Sequence, residues 1–564
     1  MKFRLLNLFC LFCFFTISSL CGRQSGVFAQ EKQFPISING NIQSDILFPE
    51  EDVKIGSEGY DETALTNTYF DLNLMSTYIN AGARFEFLKY PLPGFEPDFA
   101  GWGVPYLYLT GSYKKVKLTV GDFYDQFGSG FIFRAYQERS LGIDNALRGG
   151  RLTFEPVKGV NIKALGGKQR RYFEHNDSYI LGSDLEINIE QWFEKMQENN
   201  TVLLLGGSFI TKHEEDETIP VDVINRLNLP QNVGAFDVRA KLQKGNLGFL
   251  IEHAMKINDP SIDNNYIYKN GTAWLFSSSY SKSGMSALLQ AKRSDNMNFR
   301  SKRSESSTSA SFINHLPPFS MQHSYTLAAL YPYATQPGGE WAFQGNFAYT
   351  FKRNTAIGGK YGTNIKINAS HIRSIDKQFV EDYNGSPTSL WGTDGYSSEF
   401  FKIGDETYYQ DINISIDKRL TSNFKLNLMY MNLLSNEWII RKHGVDGEML
   451  KANIFAGEGK YKISSKVTLR SEIQYLSTKE DQGDWIFGLI EVSILPYLMF
   501  TVSDMYNSGV TGLHYYKALV TFNYKSHLLQ AGYGRSREGY DCSGGICRRV
   551  PASRGFQIAY NYNF

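Results

Sequence analysis

Net charge is almost absent from this sequence. Its 564 residues carry 58 Lys and Arg against 57 Asp and Glu, so the chain has no overall basic character for binding nucleic acid. A charged fraction of 20% and an aromatic fraction of 15% exclude intrinsic disorder. The 51 glycines follow no triplet repeat, which excludes a collagen-like chain. A chain of this length can form several domains or one large β-architecture.

Long apolar runs are also scarce. The clearest one, Leu5–Ile17, follows Lys2 and Arg4 and precedes the small-residue pattern Val27-Phe28-Ala29. This order predicts a signal peptide over residues 1–29 and a mature chain over residues 30–564. Acylation at Cys21 is the alternative, although Leu20 before it is larger than that chemistry favours.

The mature chain is close to neutral, because removing Lys2, Arg4 and Arg23 leaves 55 basic against 57 acidic residues. It contains no run of eighteen apolar residues, which a membrane helix needs. An exported chain of this kind is soluble in the periplasm, secreted, or a transmembrane β-barrel.

Cysteine is nearly absent from the mature chain. Only Cys542 and Cys547 remain, separated by Ser-Gly-Gly-Ile. The glycine pair allows a tight turn, and an oxidising compartment would preserve a bond between the two sulfurs. The nearest histidines, His514 and His527, do not complete a metal site, so we predict a disulfide, no metal and no cofactor.

Alternation of apolar and polar residues is what the sequence has in abundance. In the last strand, every second residue from Phe556 to Phe564 is apolar or aromatic and lies on one face. The other face carries Gln557, Ala559, Asn561 and Asn563. This pattern is typical of the insertion signal of outer-membrane barrels. The residues of the predicted signal are Phe556, Tyr560, Tyr562 and Phe564, with Ile558 between them.

The same period recurs along the chain, as in Tyr516–Tyr524 and Phe424–Tyr430, and the connections alternate between short and long. Residues 420–423 and 525–527 are short, whereas residues 213–232, 374–405 and 536–553 are long and polar. Short turns on one side and long loops on the other are typical of a membrane barrel. We therefore predict an all-β fold, a single large antiparallel transmembrane β-barrel of about 24 strands (22 to 26). A short helix is expected near Ile189–Gln197.

One segment, residues 121–151, interrupts the strand pattern with many glycines and charges. Ionised side chains facing lipid at the midplane cost roughly 2 to 4 kcal/mol, so we predict that this segment folds into the lumen. There it is either a constriction that selects solutes by charge or a structural network of ion pairs. The predicted luminal charge cluster comprises Asp122, Asp125, Arg134, Glu138, Arg139, Asp144, Arg148 and Arg151.

Four motifs occur in order along the chain: GDFYxxFGxG, RxYxER, GIDNALRGxR and, near the end, CxGGxCRxVPA. With them the chain resembles a family of Bacteroidetes-type outer-membrane barrels that is classified only as a domain of unknown function. The resemblance covers most of the mature chain. It implies an envelope barrel and supplies no catalytic residues.

Two functions remain open. The first is a porin-like channel for small hydrophilic solutes; the second is a non-conducting assembly or scaffold barrel that binds partner lipoproteins or a secretion complex. We expect no enzymatic activity, because no GxSxG, HExxH or P-loop motif occurs, and His323-Ser324 and His371 with Ser374 supply residue types only. The expected location is the outer membrane.

The expected partners are lipid, lipopolysaccharide and the barrel-assembly machinery, without nucleic acid. The acidic run at residues 213–217 is a candidate for cation-bridged contact with lipopolysaccharide.

Overall fold

The protein is described from a computed structural model that covers residues 36–57, 59–221, 223–306, 310–442 and 444–564. The predicted signal peptide, the cleavage before Gln30 and the alternative at Cys21 lie outside the described residues. The body considered below is the compact unit Ile38–Phe564.

Almost all regular structure in this body is β-strand. The strands are β1 (Ser37–Glu50), β2 (Leu65–Met75), β3 (Ile79–Leu88), β4 (Gly101–Tyr113), β5 (Val116–Phe123), β6 (Asp125–Gln126), β7 (Arg134–Ala135), β8 (Gln137–Glu138), β9 (Ile143–Asp144), β10 (Leu147–Phe154), β11 (Val160–Arg171), β12 (Glu174–Asn188), β13 (Thr201–His213), β14 (Asn232–Lys244), β15 (Leu247–Lys256), β16 (Gly271–Lys282), β17 (Met285–Asp295), β18 (Gly339–Phe351), β19 (Thr363–Ile375), β20 (Gln378–Phe379), β21 (Tyr396–Ser397), β22 (Ile403–Arg419), β23 (Phe424–Ser435), β24 (Leu450–Lys462), β25 (Val467–Ser477), β26 (Trp485–Ile494), β27 (Leu498–Asn507), β28 (His514–Tyr524), β29 (His527–Ser536), β30 (Gly539–Ser543), β31 (Ile546–Val550) and β32 (Ser553–Asn563).

Twenty-four of these strands form one sheet in which each strand pairs with its neighbours, and β1 pairs with β32 to close it. The pairings are antiparallel, with β1 running against β32 from Asn41↔Asn563 to Glu50↔Arg554. The remaining eight strands form four short two-stranded sheets within the connections. The prediction of a single antiparallel barrel of 24 strands is confirmed.

Helices are few and short. The α-helices are α1 (Glu194–Glu198) and α2 (Glu437–Arg441), and the 3-10 helices are Val53–Ile55, Pro97–Phe99, Arg139–Leu141, Ile189–Trp192, Ile262–Asn264 and Pro387–Leu390. The helix expected near Ile189–Gln197 corresponds to the 3-10 turn Ile189–Trp192 followed by α1. Among the described residues, no helix has the length and apolar character needed to cross a membrane.

The connections differ between the two ends of the barrel. Turns such as residues 114–115, 245–246, 283–284 and 525–526 lie at the end that also holds both ends of the body, which we call the short-turn end. The opposite, long-loop end carries residues 124–146, 296–338, 376–402 and 537–552. The two-residue turn between β11 and β12 is an exception at the long-loop end.

The barrel wall has an apolar outer face and a polar inner face, because successive strand residues point to opposite sides. In β25, Ile473 is 66% exposed on the outer face, while the adjacent Glu472 and Gln474 point inward and are buried. The predicted pattern of β28 holds, since Tyr516, Val520, Phe522 and Tyr524 are exposed outward.

Three long-loop connections fold back into the lumen. We call residues 124–146 the first plug segment, residues 296–306 together with 310–338 the second plug segment, and residues 539–550 the hairpin. Apolar side chains of the two plug segments form one buried cluster with residues of the wall strands β5, β10–β16, β18, β19 and β22–β27. The second plug segment supplies much of this luminal core, including Phe299, Ile313 and Leu327.

Candidate functional site in the barrel lumen

The first plug segment is held by aromatic side chains. Phe127, Phe131, Ile132 and Phe133 are fully buried, and the Phe127 and Phe133 rings lie 5.1 Å apart. They pack against small or branched wall residues such as Ile180. Burial of one such side chain contributes about 1.5 to 3 kcal/mol, so this segment is an integral part of the folded barrel.

The second plug segment is held by hydrogen bonds as well as by apolar packing. Lys292 Nζ of the wall donates to the Pro317 carbonyl at 2.5 Å, and His323 Nε2 lies 2.7 Å from Asp411 Oδ2. Asn314 Nδ2 donates to the carbonyl of Phe131 at 2.8 Å, which ties the two plug segments together. Buried polar groups on the wall therefore satisfy the backbone of a connection that has little regular structure of its own.

The hairpin β30–β31 carries the Cys542–Cys547 disulfide, so the predicted bond is confirmed. Its turn docks on the second plug segment: His315 Nε2 lies 2.6 Å from the Gly544 carbonyl oxygen, and Thr335 N donates to the Gly545 oxygen at 2.9 Å. Burial, followed by the charges of Arg134 and Lys292, lowers the pKa of His315 to about 3. His315 is therefore a neutral donor to the hairpin at physiological pH.

The predicted charge cluster does not form one ring but divides into separate groups. Asp144 is the centre of the most buried group, where Arg84 Nη2 and Arg170 Nη1 lie 2.6 and 2.7 Å from its Oδ2. Glu86 also bonds both arginines, at 2.8 Å to Arg84 Nε and 2.7 Å to Arg170 Nη2. This compact network of two arginines and two carboxylates joins the first plug segment to β3 and β11.

Two further groups face the lumen. Asp125 pairs with Arg151 Nη1 at 3.1 Å and with Lys163 Nζ at 2.9 Å. Arg139 pairs with Asp71 at 2.6 Å and lies 4.5 Å from the Tyr69 ring centroid.

The two remaining members of the cluster make different contacts. The guanidinium carbon of Arg134 lies 4.3 Å from the Tyr136 ring centroid. Glu138 accepts from Ser140 Oγ at 2.7 Å and from Ser543 Oγ of the hairpin at 3.1 Å.

Asp122 and Arg148 are a correction, because the structure does not place their side chains in the lumen. They occupy the outward register of β5 and β10, in step with the exposed Leu118 and Leu152. Arg148 Nη2 lies 2.7 Å from Asp122 Oδ2, and Leu107 N donates to the same oxygen at 2.7 Å. Mutual pairing close to the long-loop end lowers the cost of placing both charges on the outer face.

A second correction concerns the acidic run at residues 213–217. Glu214 is buried and binds Lys212 Nζ at 2.8 Å and Arg303 Nε at 3.0 Å. Its carboxylate therefore anchors the second plug segment and does not face a lipid surface. Contact of the neighbouring exposed acids with lipopolysaccharide stays a prediction.

The plug does not fill the lumen evenly. A cavity of about 810 Å³ lies between the plug and the wall formed by β26–β29, β32, β1 and β2. We call it the luminal cavity. Its lining combines apolar with polar and charged side chains. The cationic side chains are Arg139, Lys517, Arg535, Arg537 and Arg548, against Asp45 and Asp541.

The short-turn half of the lumen is also polar. Lys366, Lys425 and Lys460 point inward there, and their side chains are 57%, 46% and 50% exposed. Lys366 pairs with Asp417 at 3.1 Å, and Arg470 pairs with Glu458 at 2.8 Å. Solvent therefore reaches the lumen from this end, below the plug.

The predicted insertion-signal residues lie along the outer face of β32. Phe556 and Phe564 are exposed, the Phe564 and Tyr562 ring centroids are 5.6 Å apart, and His527 Nδ1 lies 2.9 Å from Tyr560 Oη. Their use as a signal is not visible in the folded chain and stays a prediction.

Sequence reasoning missed several luminal residues. Arg84 and Glu86 alternate with the outward Phe85 and Phe87 in β3. This alternation of charged and aromatic residues could have predicted that both charges face the lumen. Arg170 stands in a basic run with Lys168 and Arg171, but the run does not indicate its partners, because Glu86 and Asp144 lie 84 and 26 positions away.

A closed antiparallel barrel with an apolar outer face and a charged interior defines the class of transmembrane β-barrel proteins. The barrel here belongs to that class, and connections of its long-loop end fold into the lumen. The chain belongs to DUF6029, a family of unknown function whose profile matches residues 1–564. The family resemblance is thereby confirmed, while the Bacteroidetes origin stays a prediction.

Solved structures of similar shape include three membrane proteins. The siderophore receptor PirA from Pseudomonas aeruginosa has a TM-score of 0.42 and 10% identity over 94% of this chain and 81% of its own. The P pilus usher PapC translocation pore has a TM-score of 0.36 and 8% identity over 94% and 99%. OccAB3 from Acinetobacter baumannii has a TM-score of 0.32 and 9% identity over 94% and 99%. No curated protein matched the chain.

Proposed function

We propose that this protein spans the outer membrane as a narrow channel for small hydrophilic solutes, with the plug restricting passage to one side of the lumen. The apolar outer face supports a lipid environment. The short-turn end, which holds both ends of the body, faces the periplasm in this proposal, and the long-loop end faces outward.

The luminal cavity is the observation that carries the proposal. The apolar cluster seals the plug against wall strands from β5 to β27. Towards β26–β29, β32, β1 and β2, the plug and the wall leave a space of about 810 Å³ whose lining includes five cationic and two acidic side chains. A close-packed apolar cluster excludes water, whereas an open space with several charged side chains on its wall can hold water. This side of the lumen is therefore where we propose the hydrated path.

Conductance in a planar bilayer tests the proposal. We expect a small, steady conductance from the wild-type protein, and a several-fold larger one after residues 297–337 are replaced by a short Gly-Ser linker, because the plug then no longer narrows the lumen. A silent wild-type protein beside a conducting linker variant would contradict the channel. Heat-modifiable migration on a gel checks that each variant forms a barrel.

A non-conducting scaffold is the second candidate, and the strong attachment of the plug favours it. Lys292 Nζ lies 2.7 Å from Glu340 Oε1 with both side chains fully buried, and Arg303 is likewise fully buried beside Glu214. A barrel sealed in this way could act as a platform for lipoproteins or a secretion complex. Co-purification of such a partner with a protein that shows no conductance would support this alternative.

A further inference from the structure

We infer that the luminal cavity is a binding site for solutes that carry an oxyanion, that is, a carboxylate or a phosphate group. The inference names the solute class of the proposed channel and rests on that proposal for its biological meaning. The site is formed by Arg548 of the hairpin, Lys517 of β28 and Arg537 of the preceding connection.

The first argument is the charge balance of the cavity. Two of its five cations are already neutralised, Arg139 by Asp71 at 2.6 Å and Arg535 by Asp52 at 2.5 Å. Arg537, Arg548 and Lys517 then share the cavity lining with two acids, Asp45 and Asp541, while Asp481, Glu538 and Glu96 act on the arginines from outside the lining. The Asp541 side chain is 61% exposed and lies 3.7 Å from Arg548 Nη2, a long and solvent-screened ion pair. The cavity thus retains an excess of positive charge.

The second argument is the unused hydrogen-bonding capacity of Arg548. This residue is 8% exposed, yet no described residue accepts a hydrogen bond from its Nε or its Nη1. Buried guanidinium donors normally have acceptors, and a planar guanidinium matches the two oxygens of a carboxylate or phosphate. The Phe95 ring centroid, 4.2 Å from the guanidinium carbon, holds the group in place.

The third argument is the position of Arg537. The Leu330 carbonyl oxygen accepts from its Nη2 at 3.4 Å, and the Trp485 ring centroid lies 5.8 Å from its guanidinium carbon. Burial lowers the pKa of both Arg537 and Arg548, which is the effect of desolvation without full compensation by carboxylates. An incoming oxyanion supplies the missing compensation.

Calorimetric titration of the purified barrel in detergent tests the inference, with inorganic phosphate, citrate and glucose as probes. We expect phosphate, citrate or both to bind and glucose not to bind. Arg548→Gln and Lys517→Gln should each weaken binding by about tenfold or more, because each removes a charge-assisted hydrogen bond. The matched control is Arg549→Gln, whose side chain is 68% exposed and bonds Glu538 at 2.5 Å; it should change affinity less than twofold.

The outcomes separate this inference from the channel proposal, because binding is measured without a membrane. Binding of phosphate alone or citrate alone supports the site and identifies the oxyanion. Equal binding of glucose, no binding of either anion, or an equal loss in Arg549→Gln would overturn it, even if the protein conducts. Binding by a barrel that does not conduct supports the site and contradicts the channel. If Arg548→Gln does not fold, Lys517→Gln decides.

Discussion

Gly40 and Phe564 close the barrel through two backbone hydrogen bonds, from Gly40 N to the Phe564 oxygen at 3.0 Å and from Phe564 N to the Gly40 oxygen at 3.1 Å. The Phe564 ring occupies the space beside Gly40 where any other residue would place its Cβ. The last residue of the chain is thus paired with the first strand of the barrel.

Gly40→Ala should lower the amount of heat-modifiable barrel and its unfolding temperature. A Cβ at this position would collide with the Phe564 ring and lie 2.5 Å from the Asp71 carbonyl oxygen, and overpacking of this kind costs about 1 to 3 kcal/mol. Gly488→Ala in β26 is the matched control, because nothing lies within 4 Å of a Cβ there. Equal melting curves for the two variants would refute the role of this contact in closure.

Orientation can be tested at the hairpin. After mild reduction of whole cells, a membrane-impermeant maleimide should label Cys542 and Cys547, because the hairpin belongs to the long-loop end. As a control, Ser526→Cys in a chain whose Cys542 and Cys547 are changed to serine should react only after lysis, since residues 525–526 form a short-turn connection. The reverse labelling pattern would mean that the barrel is inserted the other way.

Asp144→Asn should destabilise the protein strongly. The carboxylate lies within 2.7 Å of Arg84 and Arg170, and removal of one partner from a buried ion-pair network costs about 3 to 5 kcal/mol. Asp177→Asn is the control, because the Asp177 side chain is fully exposed and lies 3.8 Å from Lys168 Nζ. Thermal melts in detergent should show a large decrease for the first variant and almost none for the second.

The barrel could be predicted from the sequence because side chains of a strand point alternately to its two faces. The aromatic residues at every second position of β28 and β32 therefore identify the outward face of each strand without knowledge of its neighbours. The disulfide could be predicted because its two cysteines share one short turn. Both are local features of the chain.

The plug could not be predicted in full, because its stability depends on contacts between distant residues. Asn314 bonds Phe131, which is 183 positions away, and no local pattern indicates that pair. The outward position of Asp122 and Arg148 was missed for a related reason. The free-energy cost of roughly 2 to 4 kcal/mol applies to a single ionised side chain that faces lipid. Asp122 and Arg148 instead form an ion pair across adjacent strands, so this cost overestimates the penalty for placing them on the outer face.

Acidification should weaken the contact between the hairpin and the plug. The pKa of His315 is lowered to about 3 in the folded protein by burial and by Arg134 and Lys292, against about 6.5 in an unfolded chain. A base with a depressed folded pKa contributes stability above pH 6.5 and loses it as the pH falls toward 3, at roughly 1 kcal/mol per pH unit. His315→Gln keeps a donor for Gly544 but does not titrate. Its melting temperature should therefore fall less than that of the wild type between pH 7 and pH 4, and parallel curves would contradict this explanation.

Arg139 and Arg134 should respond differently to the same substitution, although both belong to the predicted charge cluster. Arg139 lines the luminal cavity, so Arg139→Gln should raise the conductance and shift selectivity toward cations, since Asp71 then loses its partner and the field in the path becomes more negative. The Arg134 guanidinium stacks on the Tyr136 ring within the plug, and a glutamine side chain loses this cation–π contact. Arg134→Gln should therefore lower the melting temperature and leave selectivity unchanged. Bilayer recordings beside a thermal melt of each variant distinguish the two effects, and a selectivity change in Arg134→Gln would mean that solutes pass through the plug itself.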